Sequence, residues 1–248
     1  MSLFKFAWFP DFFGSVEELK DLAMAEEWDY SNSPTGRHPI LINYIHHTFE
    51  KVEQENKIEK KGDFCCFNTG LATENQEEIF GYFQKNKKPG TSIPYFFIGW
   101  RKSSHRDLSK FSKLAEVANY ITDPKELIYD ISIELRVNID HIIQDNKERF
   151  PVPFKTMDNY LLSNLLSGTI EDAKRRVRRN YKTAIPQYYK GKLQLLLPLC
   201  LQDKAKADLA LVIEKDSGIY RASTCLTLDM AINNARLIAK PDDEWLKI

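Results

Sequence analysis

The sequence predicts an α+β fold, with a mixed or antiparallel central sheet flanked by helices. Three features of the chain carry that expectation. Apolar, strand-like runs gather near the C-terminus, at Lys192 to Cys200, Ala207 to Glu214 and Tyr220 to Thr227. Asp216-Ser217-Gly218 joins the second and third of them as a hairpin. Helical periods precede and follow these strands instead of separating each pair, so the order is not a strict βαβ alternation. The 248 residues suffice for a substantial core. The expected organisation is a single domain over 1–248, divisible into an N-terminal lobe 1–113 and a C-terminal lobe 114–248.

Residues 1 to 30 mix aromatics (Phe4, Phe6, Trp8, Phe9, Phe12, Phe13) with a short helix. Ser15 is placed to cap that helix, with Glu18 completing a capping box, and Leu19, Leu22 and Ala23 supply its inner face. The stretch SNSPTGRHP, 31 to 39, is a loop by composition. Ile40 to Val52 reads as a helix through Leu41, Tyr44, Ile45, Thr48 and Phe49. Lys57 to Leu71 reads as a strand pair turning at Lys61-Gly62. Asn75 to Lys85 is predicted helical from Ile79, Phe80 and Phe83. Asn86 to Gly90 is a basic loop, and Tyr95 to Trp100 is a strand. Arg101 to Lys113 is polar and charged, the segment best suited to a mobile connection. Leu127 to Val137 alternates and is predicted as a strand. Asn138 to Arg149 is a helix that stops before Pro151. A short helical piece at Asn159 to Leu166 precedes a basic helix, and a last helix, Leu228 to Ala239, ends ahead of Pro241.

Composition excludes several classes. Lys+Arg and Asp+Glu are balanced at 35 each, so the chain is no general polyelectrolyte binder, and attraction to nucleic acid must come from local asymmetry. The four cysteines, with Cys65 and Cys66 adjacent, match neither a disulfide framework nor a metal set, so reduced thiols in the cytoplasm are expected. His46-His47 has no metal-ligand spacing to a Cys or acid cluster, and no metal site is expected. The longest apolar run, about ten residues around Leu193 to Leu201, is too short to cross a bilayer. The aromatic N-terminus carries Asp11 and has no small-residue cleavage site, so it is not read as a signal peptide.

One segment breaks the charge balance. Lys174, Arg175, Arg176, Arg178, Arg179 and Lys182 crowd a helix whose apolar residues Ile170, Ala173, Val177, Tyr181 and Ala184 step by three or four toward a core. Arg178 and Lys182, four apart, stand one above the other. Such a surface demands an anionic partner or an internal explanation, or is simply a solvated face. Tyr188 and Tyr189 follow, and then the continuous apolar run Leu193 to Leu199, the pattern of a strand covered on both faces.

Three further constellations could carry chemistry. In the last helix Asp229, Asn233 and Arg236 form a polar stripe at i, i+4 and i+7, led in by Thr224 and Thr227. A helix start suits a phosphate; alternatively, Thr227 only caps the helix and Asp229 pairs with Arg236. His141, Asp145 and Arg149 share a face, so His141 could move a proton near neutral pH, or simply pair with Asp145 on the surface. Asn68-Thr69-Gly70 ends an apolar strand as a tight turn, or offers its amide and hydroxyl to a ligand. No Walker-type loop, GxGxxG, GxSxG or HExxH occurs.

The segments FNTGLATENQEEIF, HIIQDNKERFP, RRVRRNYKTAIPQYYKGKLQLLLPLCL, ADLALVI and YRASTCLTLDMAINNARLIAKPDDEWL together resemble an uncharacterised bacterial domain family. The similarity covers nearly the whole chain, including LFKFAWFP and EEWDY. In larger proteins that family occurs beside OST-HTH (LOTUS) RNA-binding domains, which implies an RNA-related role and a partner protein with an RNA-binding domain. The resemblance carries onto Asn68, Thr69, His141, Arg149, Arg178, Asn180, Lys182, Gln187, Tyr189, Asp208, Thr227, Asp229, Asn233, Asn234 and Arg236 as motif positions. At Ile232 the family pattern leads one to expect an aromatic residue; if that ring stacks on a base, this chain lacks the stacking partner.

Two functions from different classes follow. The first is an RNA- or nucleotide-binding module. There Arg149, Arg178, Lys182, Gln187, Tyr189, Asn68, Thr69, Thr227, Asn233, Asn234 and Arg236 contact the ligand, and Tyr188, Tyr189 or Phe150 stack on bases. The alternative is a phosphoesterase or nucleotide-processing enzyme in the same pocket, with His141 and Asp229 as the catalytic pair and Arg178, Lys182 and Arg236 clamping phosphates. The identity of any cofactor is left open. The expected site is a single pocket where the polar stripe of the last helix meets the basic helix.

Overall fold

A computed structural model describes residues 1–30, 35–241 and 244–246. Part of the predicted loop at 31–39, residues 31–34, lies outside the described residues. The fold is α+β, and the chain divides into two compact units, Met1–Asn119 and a second that begins at Tyr120.

The first unit contains α1 (Leu3–Phe6), β1 (Ala7–Trp8), α2 (Phe12–Leu22), α3 (Pro39–Gln54), β2 (Glu59–Lys61), β3 (Phe64–Ala72), β4 (Glu78–Lys85) and β5 (Tyr95–Lys102). Its sheet runs in the order β1-β5-β4-β3-β2. Of these strands, only β1 is parallel to its neighbour. The stretch predicted as a helix at Asn75 to Lys85 is instead strand β4. Ile79, Phe80 and Phe83 do fit a helical step, but Tyr82 between them is buried too, as befits a central strand covered on both faces. Helix α2 begins earlier than the Ser15 cap implied. The carboxylate of Asp11 accepts the Gly14 N–H at 2.9 Å and caps it, and the Ser15 hydroxyl donates back to the Asp11 carbonyl. Helix α3 follows its predicted stripe, burying Leu41, Tyr44, Ile45, Thr48 and Phe49. The polar connection from Arg101 to Lys113 is fastened down: Arg101 and Lys102 complete β5, Leu108 and Phe111 are buried, and Lys110 Nζ lies 3.7 Å from the Phe64 ring centroid.

The second unit contains β6 (Leu135–Val137), α4 (Ile139–Asn146), α5 (Val152–Lys155), α6 (Asn159–Arg179), β7 (Ile185–Tyr189), β8 (Lys192–Leu199), β9 (Leu209–Asp216), β10 (Ile219–Leu226) and α7 (Leu228–Arg236). The sheet order is β6-β10-β9-β8-β7. Strands β7 to β10 form an antiparallel meander, and β6 joins β10 in parallel. The β9–β10 hairpin turns on Ser217 and Gly218, whose φ values of 50° and 83° suit a two-residue primed turn. One face of the sheet carries Leu195, Leu197, Leu199, Leu209, Leu211 and Ile213 under α4 and α6. The other face carries Leu196, Ala210 and Val212, with α7 packed against β7, β9 and β10. Burial on both faces explains why β8 reads as one continuous apolar run.

Two predicted readings in this unit are corrected, and one strand was not predicted. Of Leu127 to Val137 only Leu135–Val137 is a strand; a 3-10 turn covers Pro124–Leu127, and Ile131 is exposed. The alternation there arises from single anchors, chiefly Tyr129, whose ring stacks on Tyr220. The piece at Asn159 to Leu166 and the basic helix are one helix, α6, because Leu162, Leu166, Thr169, Ile170, Ala173 and Val177 continue a single buried stripe through Gly168. Strand β7 was hidden by Pro186, which an edge strand tolerates.

Candidate anion-binding site

Helix α6 is nucleated by Asp158, whose carboxylate accepts the N–H groups of Tyr160 and Leu161. With its apolar stripe against the sheet, the basic residues are forced outward. Half of them are engaged locally, two of these in ion pairs. Lys174 pairs with Glu171 at 2.6 Å, Arg175 pairs with Asp172 at 3.2 Å, and the Arg176 guanidinium donates to the Lys204 carbonyl. Arg178 and Arg179 are exposed and make no ion pair among the described residues. They sit in the last turn, where the helix carbonyls favour positive charge. Arg178 is close enough to influence Tyr129, whose phenol is pushed up to about 12 by burial and by Tyr220, against the pull of Arg178.

The helix ends at Arg179, so Lys182 does not continue its face. Asn180 caps the exit, accepting the Lys182 N–H at 3.1 Å, and Tyr181–Thr183 form a 3-10 turn. Tyr181, expected in the buried stripe, is 60% exposed for that reason. A pocket of about 300 Å³ opens beside this turn. Tyr181, Lys182, Ala184, Ile185 and Pro186 form one wall, Leu127 and Ile128 a second, and Ala235, Ala239, Lys240 and Pro241 a third.

The polar stripe of α7 does not line that pocket; Ala235 does, together with Ala239 in the turn that follows, since the helix predicted to reach Ala239 ends at Arg236. Thr227 caps α7 through its hydroxyl, which accepts the Met230 N–H at 3.4 Å. Asp229, in the first turn, has its carboxyl pushed up by burial. Arg236 is buried at 9% exposure and Asn233 is half-buried. Asn234 donates its amide to Gln187 at 3.1 Å. Gln187, 1% exposed, donates to Gln194 at 2.9 Å, and Gln194 donates to Glu214, which also holds Lys192. Ile232 is buried, so a ring at that position would face protein and not a base.

His141 is exposed on α4, 3.5 Å from Asp145, and lies outside the pocket. Arg149 reaches back to the Cys225 carbonyl at 2.5 Å, and Asn146, 3% exposed, accepts the Cys225 N–H at 2.7 Å. Together they secure β10 where its register shifts between Arg221 and Thr224. Asp208 accepts the N–H groups of Leu201 and Gln202 and shapes the β8–β9 loop. Tyr189 is half-exposed at the β7–β8 turn, with Lys190 over its ring.

Asn68 and Thr69 belong to the first unit, and both are fully buried. The Asn68 amide donates to the Ala115 carbonyl, and its oxygen accepts the Gly70 N–H. The Thr69 hydroxyl donates to the Ile79 carbonyl and accepts the Leu71 N–H. Both side chains thus serve the irregular end of β3. Among the described residues no cluster of three or more His, Cys, Asp or Glu could hold a metal ion, and no helix is long and apolar enough to cross a membrane. Burial pushes the thiols of Cys66 and Cys225 up to about 12.

The structure therefore brings Lys182 to the end of α7 and Gln187 to Asn234, but leaves His141 and Asp229 out of the pocket. Reasoning from sequence missed Ile128, Ala235, Ala239 and Lys240. Small alanines at and beyond a helix end give no signal until the opposite wall is in place.

A family model described as a domain of unknown function (DUF3825) matches residues 19–245. No curated protein matches the chain. No solved structure matches it.

Proposed function

We propose that this chain, which belongs to the DUF3825 family, binds RNA or a nucleotide at the cationic end of α6. The observation that carries this reading is the pair Arg178 and Arg179, exposed and without an ion pair among the described residues, followed two residues on by the exposed Tyr181. Cations neutralised by their own helix supply little to a partner; these two hold their charge for one. An aromatic face next to phosphate-binding cations is the pairing used on single-stranded nucleic acid. The association with OST-HTH domains implied by the resemblance agrees, with a partner protein of that kind delivering RNA in a bacterial cytoplasm. The alternative, a phosphoesterase using the same pocket, would need His141 or Asp229 at the pocket, and neither lines it.

The test is fluorescence anisotropy with a labelled single-stranded RNA across a salt series. Replacing Arg178 and Arg179 together by Gln should weaken binding. It should also flatten the salt dependence by about 0.7 in log–log slope for each phosphate that is no longer neutralised. Unchanged affinity and slope in the folded double variant would remove this surface from consideration.

A further inference from the structure

We infer that the pocket beside the end of α6 takes the base of one nucleotide, with that nucleotide's phosphate held outside by Lys240. This rests on the reading of the α6 end as a phosphate-binding surface, and adds what that surface selects.

A nucleic-acid backbone needs only an open cationic face and has no use for an apolar recess. Here the two share a wall. Lys182 lines the pocket and directly follows the exposed Tyr181, within one turn of Arg178 and Arg179. The recess itself is walled mostly by apolar groups: Leu127, Ile128, Ala184, Ile185, Pro186 and Ala235. Side chains of that kind leave a slot with few polar atoms, suited to a planar ring. Its volume of about 300 Å³ is at the lower limit of small-molecule sites, enough for one ring system and not for a stack. Among the described residues, the charged groups along its walls are Lys182 and Lys240, both cationic. An apolar-faced ring with negative charge at one end fits that combination, and a nucleotide is such a molecule. A peptide does not fit, because its backbone N–H and C=O groups would meet walls with few partners to offer. The same chemistry comes either as a free mononucleotide or as one unstacked residue of an RNA strand.

Calorimetry on the full chain separates these cases, using AMP, ribose 5-phosphate and a short single-stranded RNA. AMP should bind about tenfold or more tightly than ribose 5-phosphate, the gain expected when a base finds an aromatic and apolar seat. Ala239→Trp fills the slot from an exposed position, so the fold should survive, which thermal melting checks. It should abolish the preference for AMP and leave ribose 5-phosphate unchanged. Lys240→Gln should weaken both ligands. If AMP displaces the RNA, the occupant is a base of the strand; if AMP binds and does not displace it, the occupant is the free nucleotide. Equal binding of AMP and ribose 5-phosphate, or AMP binding untouched by Ala239→Trp, overturns this inference alone, provided RNA binding still depends on Arg178 and Arg179. Absence of both RNA and AMP binding overturns the phosphate-surface reading with it.

Discussion

Gln187 uses both ends of its amide. Its oxygen accepts from Asn234 on α7, and its nitrogen donates to Gln194 on β8, while its side chain is almost wholly out of solvent. A buried amide so placed costs little while paired and much when a partner is removed. Replacing Gln187 by Leu should therefore lower stability by about 1–3 kcal/mol in urea or thermal melts. RNA or nucleotide binding should persist in whatever fraction remains folded, because Gln187 does not line the pocket. The sequence marks Gln187 as a motif position without saying why. Its partner Asn234 is distant along the chain, and only the packing of α7 on β7 makes them neighbours. Tyr181 shows the reverse. A period of four carries it into the core stripe, yet the helix stops at Arg179 and releases it to solvent.

Among the elements, the buried stripes of the long helices and strands β8, β9 and β10 were legible, and strand β4 was not. The buried stripe of α6 appears in the sequence at helical spacing, so its outward cations could be assigned from the sequence alone. Strand β4 shows the opposite case. A strand covered on both faces loses its alternation, and in IFGYF the remaining pattern imitates a helix. Gly81 at its centre marks the difference: a Cβ there would come within 2.3 Å of the Phe67 ring. That ring is held among Phe49, Phe83 and Trp100 and has little room to retreat. Gly81→Ala should thus destabilise the first unit by about 1–3 kcal/mol as an overpacked core does, measurable as a lower urea midpoint with an unchanged slope. A helix at this position would have welcomed the alanine, so the sign of the effect tests the strand assignment itself.

At the scale of the whole molecule, each unit carries its own five-stranded sheet, and in the second the strands are gathered in two different ways. Strands β7 to β10 follow one another as hairpins, each finding its partner a few residues away. Strand β6 is different: Leu135 pairs with Tyr220 across about 85 residues of chain, and α4 and α6 occupy the interval. Contacts between distant residues form late, because the loop must close before the contact rewards it. Refolding followed by pulsed hydrogen exchange should show amides of β8 and β9 protected before those of β6; simultaneous protection would contradict this order. A growing chain meets the same delay in a harsher form. When α6 leaves the ribosome, its apolar stripe has no sheet to lie on until β8 and β9 have been synthesised. In that interval the newborn helix is amphipathic and cationic, the state most open to premature partners such as chaperones or the ribosome's own RNA.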